Sequence, residues 1–161
     1  MSPGHHHLAL TPVPGARDLG LVDALAQLSF AVQGALGRIA AEHGMSTVQA
    51  RLLGILRDRR PTITELAGFL GLDKSSVTGL VDRAEERGLV TRVASPRDGR
   101  SVHVAITSAG RRLVDRASTT FASEVACITA DLSPAEQGRL SVLASLVVAA
   151  EARRRGVDLD G

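Results

Sequence analysis

Thr62 to Thr107 reads TITELAGFLGLDKSSVTGLVDRAEERGLVTRVASPRDGRSVHVAIT, and its punctuation separates four elements. Thr62 and Glu65 make a capping box, each side chain satisfying a backbone N–H that the helix start leaves unpaired. A helix is therefore expected from Thr62 to about Leu70, with Gly71 as the turn. Asp73 is a good N-cap for a second helix running to Arg87, and Gly88 suits its C-terminal end. Leu66, Phe69, Leu72, Val77, Leu80, Val81 and Ala84 recur at spacings that lock the two helices together. Two strand-like segments follow, Leu89–Ala94 and Ser101–Thr107. Pro96, Asp98 and Gly99 are turn formers between them. The second segment alternates, with Val102, Val104 and Ile106 on one face and Ser101, His103 and Ala105 on the other. A helix-turn-helix leading into an arginine-tipped hairpin suits duplex DNA: a helix fits the major groove and an extended arm reaches the minor groove.

The flanking sequence is helical in period. Leu21, Leu25, Leu28, Val32, Leu36 and Ile39 predict a first helix over about 20–43, ended by Gly44. Ser46 with Gln49 caps a second, carrying Leu52, Leu53 and Leu56. The run Arg57-Asp58-Arg59-Arg60-Pro61 closes it, because proline disfavours helix at the residue before it. After the hairpin, Leu113, Ala117, Phe121, Val125 and Ile128 predict a fifth helix over about 108–130. Ser133-Pro134-Ala135-Glu136 opens a sixth with a third capping box and proline at its favoured first position. From Val142 to Ala150 this helix is apolar nearly all round, so its surface calls for cover that a partner subunit can supply. Residues 1–19 are rich in Pro and Gly without apolar period and are expected to form a flexible arm. His5-His6-His7 within it reads as a tag remnant, a weak metal-binding tract or a run without function.

Composition narrows the chemistry. The 161 residues suffice for one domain with a substantial core, and the 44% hydrophobic and 22% charged content is ordinary for a globular protein. No apolar run is long enough for a membrane span and no signal-peptide pattern is seen, so a cytoplasmic location is expected. Cys127 is the only cysteine; it excludes an internal disulfide and a cysteine zinc cluster, and it reads as a small buried core residue. With three Phe and no Trp or Tyr, a base-stacking platform for single strands is not expected. The net charge of +2 conceals an asymmetry: residues 51–116 hold 13 Lys/Arg against 8 Asp/Glu, while the remainder is acidic. A polyanion would feel that field. No paired carboxylates, nucleophile–base set or phosphate loop stands out, so neither an enzyme nor a cofactor or metal is expected.

With these elements placed, the chain resembles the MarR family of winged-helix transcription regulators. Leu66-Ala67 and Leu72 to Val77 read like the family's helix-turn-helix. Val81-Asp82-Arg83, then Glu86-Arg87-Gly88-Leu89-Val90 and Arg92, match the exit of its recognition helix. Pro96-Arg97-Asp98-Gly99-Arg100, Val104-Ala105-Ile106-Thr107 and Gly110-Arg111 match its wing and the helix beyond. The resemblance covers about residues 21–150. It implies a mainly α fold with a small β-hairpin wing (α+β). In it, 46–107 form a winged helix-turn-helix DNA-binding domain, and 20–45 with 108–156 form the helical dimerisation region of a homodimer. The implied function is a sequence-specific regulator on a pseudo-palindromic operator of double-stranded DNA, a ligand-responsive repressor. The other open reading is an architectural, weakly specific DNA-binding protein without a ligand switch.

The contacts can be named residue by residue. Lys74 faces phosphate at a helix start, where N–H groups and the dipole attract anions. Ser75, Ser76 and Thr78 are short enough to touch phosphates or base edges, or they simply cap their own helix. Gly79 offers no side chain where family members often carry a larger polar one. Arg83 can reach phosphate or pair within the helix, and Arg92 reads as a backbone contact. The resemblance implies that Arg100, braced by Asp98, enters the minor groove, with Arg97 as runner-up; a surface ion pair at the turn is the plainer alternative. It also implies a small anionic ligand between the dimer helices and the winged helix. That pocket would be mostly aliphatic, with Arg38, His43 and Arg51 as anion partners.

Overall fold

A computed structural model of the chain describes residues 17–94 and 101–156. Residues 1–16 of the expected arm, with the His5-His7 tract, and the hairpin tip with Arg97, Asp98 and Arg100 lie outside the described residues. Six helices and one hairpin follow in order: α1 (Gly20–Glu42), α2 (Thr47–Leu56), α3 (Ile63–Leu70), α4 (Lys74–Glu86), β1 (Val90–Ala94), β2 (Val102–Ile106), α5 (Ser108–Ile128) and α6 (Pro134–Arg154). The fold is mainly helical with a two-stranded antiparallel wing.

The three capping boxes form as the sequence predicts. Ser46, Thr62 and Ser133 accept from the backbone N–H three residues on, and Gln49, Glu65 and Glu136 reach back to the cap. Gly71 closes α3 in the left-handed conformation at φ 69°, a region where a β-carbon would strain the turn into α4.

The core sits where α2, α3 and α4 meet the base of the hairpin. Its largest fully buried side chains are Leu52, Leu53, Leu56, Leu66, Val77, Val81, Val90 and Val104. The hairpin pairs Val90 with Ile106 and Ala94 with Val102 at its two ends. It is anchored at a third edge, where the Val104 amide donates to the Pro61 carbonyl at 2.8 Å, beside an isolated bridge between Thr62 and His103. Thr107 caps α5 and its hydroxyl donates to the Gly88 carbonyl at 2.7 Å, so one residue ties the hairpin exit to the end of α4. Gly110 fits against that corner: a β-carbon there would lie 2.1 Å from the Leu89 carbonyl oxygen.

Two expectations need correction. The alternation of β2 does not divide inside from outside, because Ala105 is buried and Val102 is 48% exposed. The strand crosses the core edge, so depth along the strand outweighs face at Val102. Cys127 is exposed and not a core residue. It lies near the end of α5, past the point where Leu113 and Val114 enter the core, and this stretch has little of its own chain beside it.

The terminal helices are only partly covered. Leu21 and Leu25 on α1 are exposed, and Val142, Leu143, Leu146, Val147 and Val148 on α6 are each about 60% exposed. Only Ala152 is buried on α6. No helix among the described residues is long and apolar enough to cross a membrane.

Candidate nucleic-acid interface

The start of α4 presents Lys74, Ser75, Ser76 and Thr78 to solvent, while Val77, Leu80, Val81 and Ala84 face the core. The 3.6-residue period makes this split: one stripe is needed for packing, and the other is left for a partner. The exposed stripe is already hydrogen-bonded within itself. Asp73 accepts from Ser75 Oγ at 2.5 Å, Ser76 Oγ at 2.7 Å and the Ser76 amide at 2.9 Å. These bonds, the Ser75 hydroxyl first, hold the Asp73 carboxyl well below its ordinary range. Thr78 Oγ1 donates to the Lys74 carbonyl at 2.8 Å. The capping role weighed for these side chains is thus present. It commits the hydroxyl protons and leaves the oxygen lone pairs facing outward as acceptors.

An open groove joins this turn to a second helix start. Ser46, the N-cap of α2, lines it with Ser75, Ser76, Gly79 and Arg83. Two helix N-termini therefore border the same surface, each a place where backbone N–H groups and the helix dipole favour negative charge. Nη1 of Arg83 lies 3.5 Å from where a β-carbon on Gly79 would sit, an ordinary van der Waals distance. The guanidinium folds back along the helix and covers the position that glycine leaves empty. Neither Arg83 nor Lys74 makes an ion pair among the described residues.

Arg92 behaves differently. Its backbone N–H donates to Glu85 at 3.0 Å, and its guanidinium pairs with Glu85 and, at 2.6 Å, with Asp82. Both carboxylates are on α4, so Arg92 fastens the first wing strand to the recognition helix. Arg87 makes a second long-range tie, donating to the carbonyls of Gly44 at 3.1 Å and His43 at 3.0 Å at the end of α1.

A separate cavity of about 250 Å³ lies between α1, α2 and α5. Its wall is aliphatic, including Leu36, Ile39, Met45 and Leu113, with Phe121 as its ring. Of the three anticipated anion partners, Arg51 borders it. Arg38 and His43 do not, because Arg38 is paired with Glu124 at 2.6 Å and His43 serves as the C-cap of α1. Arg57 also lines the cavity, its side chain held by Asp58 at 2.8 Å. Sequence reasoning missed Arg57 here and Ser46 at the groove. Each had a sufficient local reading, as helix closer and helix cap, and nothing in the spacing marks a second neighbour.

Comparison with known proteins agrees with this architecture. A model of the MarR family matches residues 43–101, from just after α1 to just before β2. An HTH-type transcriptional regulator of Bacillus subtilis, YkoM, is 32% identical over 107 residues, spanning 66% of this chain and 70% of that protein. The chain belongs to the MarR family. The homoprotocatechuate degradative operon repressor of Escherichia coli is 28% identical over 125 residues, covering 76% of this chain and 84% of the repressor. The crystal structure of CouR from Rhodococcus jostii, bound to p-coumaroyl-CoA, superposes with a TM-score of 0.66 at 26% identity. That match covers 80% of this MarR-family chain and 87% of CouR. These relatives are transcriptional regulators, not enzymes, and the chain is a winged helix-turn-helix regulator of the same family.

Proposed function

We propose that this MarR-family protein acts in the cytoplasm as a homodimeric repressor, binds a pseudo-palindromic duplex operator and is released by a small anionic ligand. The reading rests chiefly on the exposed turn Lys74-Ser75-Ser76-Thr78, set in one groove beside the start of α2. A turn of that width and charge fits a major groove, with Lys74 and the two helix N-termini on phosphate. Ser75 and Ser76 then accept from base amino groups, adenine N6 or cytosine N4, because their own protons are given to Asp73. Arg83, laid over Gly79, takes the neighbouring phosphate or guanine edge. Arg92 acts through the wing's position. From the sequence, Arg100 reaches the minor groove braced by Asp98, with Arg97 beside it.

The exposed apolar surface of α6 and α1 supports a dimer, since a monomer rarely leaves such a patch bare. Two copies place half-sites about one helical turn apart, roughly 34–36 Å. The α1–α2–α5 cavity, aliphatic with Arg51 and Arg57 at its edge, suits an anion with an apolar body. Kinship with the E. coli repressor and with CouR, which binds p-coumaroyl-CoA, supports that reading.

Selection of bound duplexes from a random pool tests it. A recurring pseudo-palindrome is the expected outcome, and Arg100→Ala should weaken binding to it by ~1–3 kcal/mol. Enrichment of no sequence, with binding at low salt alone, would favour an architectural role without a switch.

A further inference from the structure

α1 and α4 end in the same kind of turn. At the end of α1 the Gly44 and Met45 amides donate back to the Ala41 and Ala40 carbonyls, each at 2.9 Å, with Gly44 at φ 62°. At the end of α4 the Gly88 and Leu89 amides donate to the Glu85 and Ala84 carbonyls at 2.8 and 2.9 Å, with Gly88 at φ 67°. The residue after such a glycine packs back against its own helix, and Met45 and Leu89 are both buried. Arg87, the C-cap of α4, joins the two turns. One guanidinium nitrogen donates to the Gly44 carbonyl at 3.1 Å and the other to the His43 carbonyl at 3.0 Å.

The grip has an electrostatic cause. A helix C-terminus carries partial negative charge, which a cation relieves. α1 has no basic residue in its last turn and ends on Glu42, so the cation at its end comes from another helix. Arg87 makes no ion pair among the described residues, and its guanidinium is given to these carbonyls. A planar fork fixes direction as well as distance, which a single point charge does not.

The gripped turn leads directly to the groove. Gly44 stands two residues before Ser46, the N-cap of α2, and Ser46 lines the groove with Ser75, Ser76, Gly79 and Arg83. Arg87 lies one turn beyond Arg83, to whose carbonyl its amide donates at 3.3 Å. A closed path thus runs from the groove along α4 to Arg87, across to the end of α1, and back through Met45 to Ser46.

We propose that Arg87 is a positioning residue that sets the start of α2 against the start of α4, and so fixes the spacing of the two helix N-termini offered to phosphate. It acts through the turn at 43–46 and does not itself touch DNA. This role rests on the reading of the groove as the DNA surface, and adds what holds the second phosphate contact in place.

Two measurements on the whole protein test it, one without DNA and one with it. Without DNA, amide exchange is followed in the parent, Arg87→Gln and Arg87→Lys, all altered at an exposed position. The Gly44 and Met45 amides should exchange faster in Arg87→Gln by about tenfold or more, because bonds from a charged donor are the stronger kind. The core amides of Leu53 and Val81 should keep the parent rate. With the duplex selected from a random pool, Ser46→Ala should weaken binding in the parent and add little once Arg87→Gln is present, as expected for residues coupled through one backbone shift. Arg87→Lys keeps the charge and loses the fork, so its duplex binding should follow its exchange rates. The proposal is overturned if Gly44 and Met45 exchange at the parent rate in Arg87→Gln, or if the Ser46 and Arg87 substitutions simply add. It is also overturned if Arg87→Lys restores duplex binding while exchange stays fast, which would make Arg87 a direct phosphate contact. A parent that enriches no duplex sinks the DNA reading instead, while exchange still decides whether Arg87 holds the turn.

Discussion

Asp73 caps α4 with a carboxylate that also lies on the proposed DNA-reading surface. As N-cap it takes three hydrogen bonds from the first turn of α4, and in a DNA complex it would stand among phosphates. Asp73→Asn keeps a good cap and removes the charge. The variant should fold like the parent and bind duplex DNA more tightly, because one negative charge facing the phosphates is gone. Fluorescence anisotropy with a labelled operator measures it, and weaker binding would mean that Asp73 itself touches bases. Glu65 gives a pH signature. Its bonds from the Thr62 amide and hydroxyl hold its pKa below the ordinary 4.5. The ionised form is therefore favoured by folding, so its stabilisation is present above 4.5 and is lost as pH falls through the lower folded value. Urea midpoints between pH 7 and pH 3 should decline in the parent, with a flatter acid limb in Glu65→Gln.

Between elements, tight corners and ties fix the wing. Gly110→Ala would drive a β-carbon into the Leu89 carbonyl. It should cost about 1–3 kcal/mol, as overpacking does, read as a lower denaturant midpoint. Arg92→Ala should leave the helices intact and loosen the hairpin from α4, seen as faster amide exchange in β1 than in the parent. If exchange in β1 is unchanged, the Asp82–Arg92–Glu85 cluster does not hold the wing. The elements themselves were legible because their signals are local. The Ser46, Thr62 and Ser133 boxes and the glycine after α3 declare their roles within four residues. What stayed hidden depends on chain segments far apart. Arg87 reaches the end of α1 over more than forty residues, Ser46 meets Ser75 at one groove, and Arg38 pairs with Glu124 on α5. Cys127 and Val102 were misplaced for a related reason: period gives a face, but not how far the core extends along it.

For the whole molecule, the apolar terminal helices are the unfinished part of the single chain. Leu143 and Leu146 are about three-fifths exposed and sit on the stretch of α6 that the dimer reading requires to be covered. Leu143→Glu with Leu146→Glu should shift the protein toward monomer in sedimentation and weaken operator binding, while the α2–α4 core keeps its unfolding transition. On the proposed reading one winged unit takes half of a pseudo-palindrome, so specificity would belong to the pair. The most direct measurement is the ratio of affinities, at one fixed salt concentration, for the duplex selected from a random pool and for the same duplex with one half-site scrambled. A homodimeric sequence-specific regulator should favour the intact duplex by about a thousandfold or more, as specific sites are favoured over nonspecific DNA. Equal affinity for the two would contradict it.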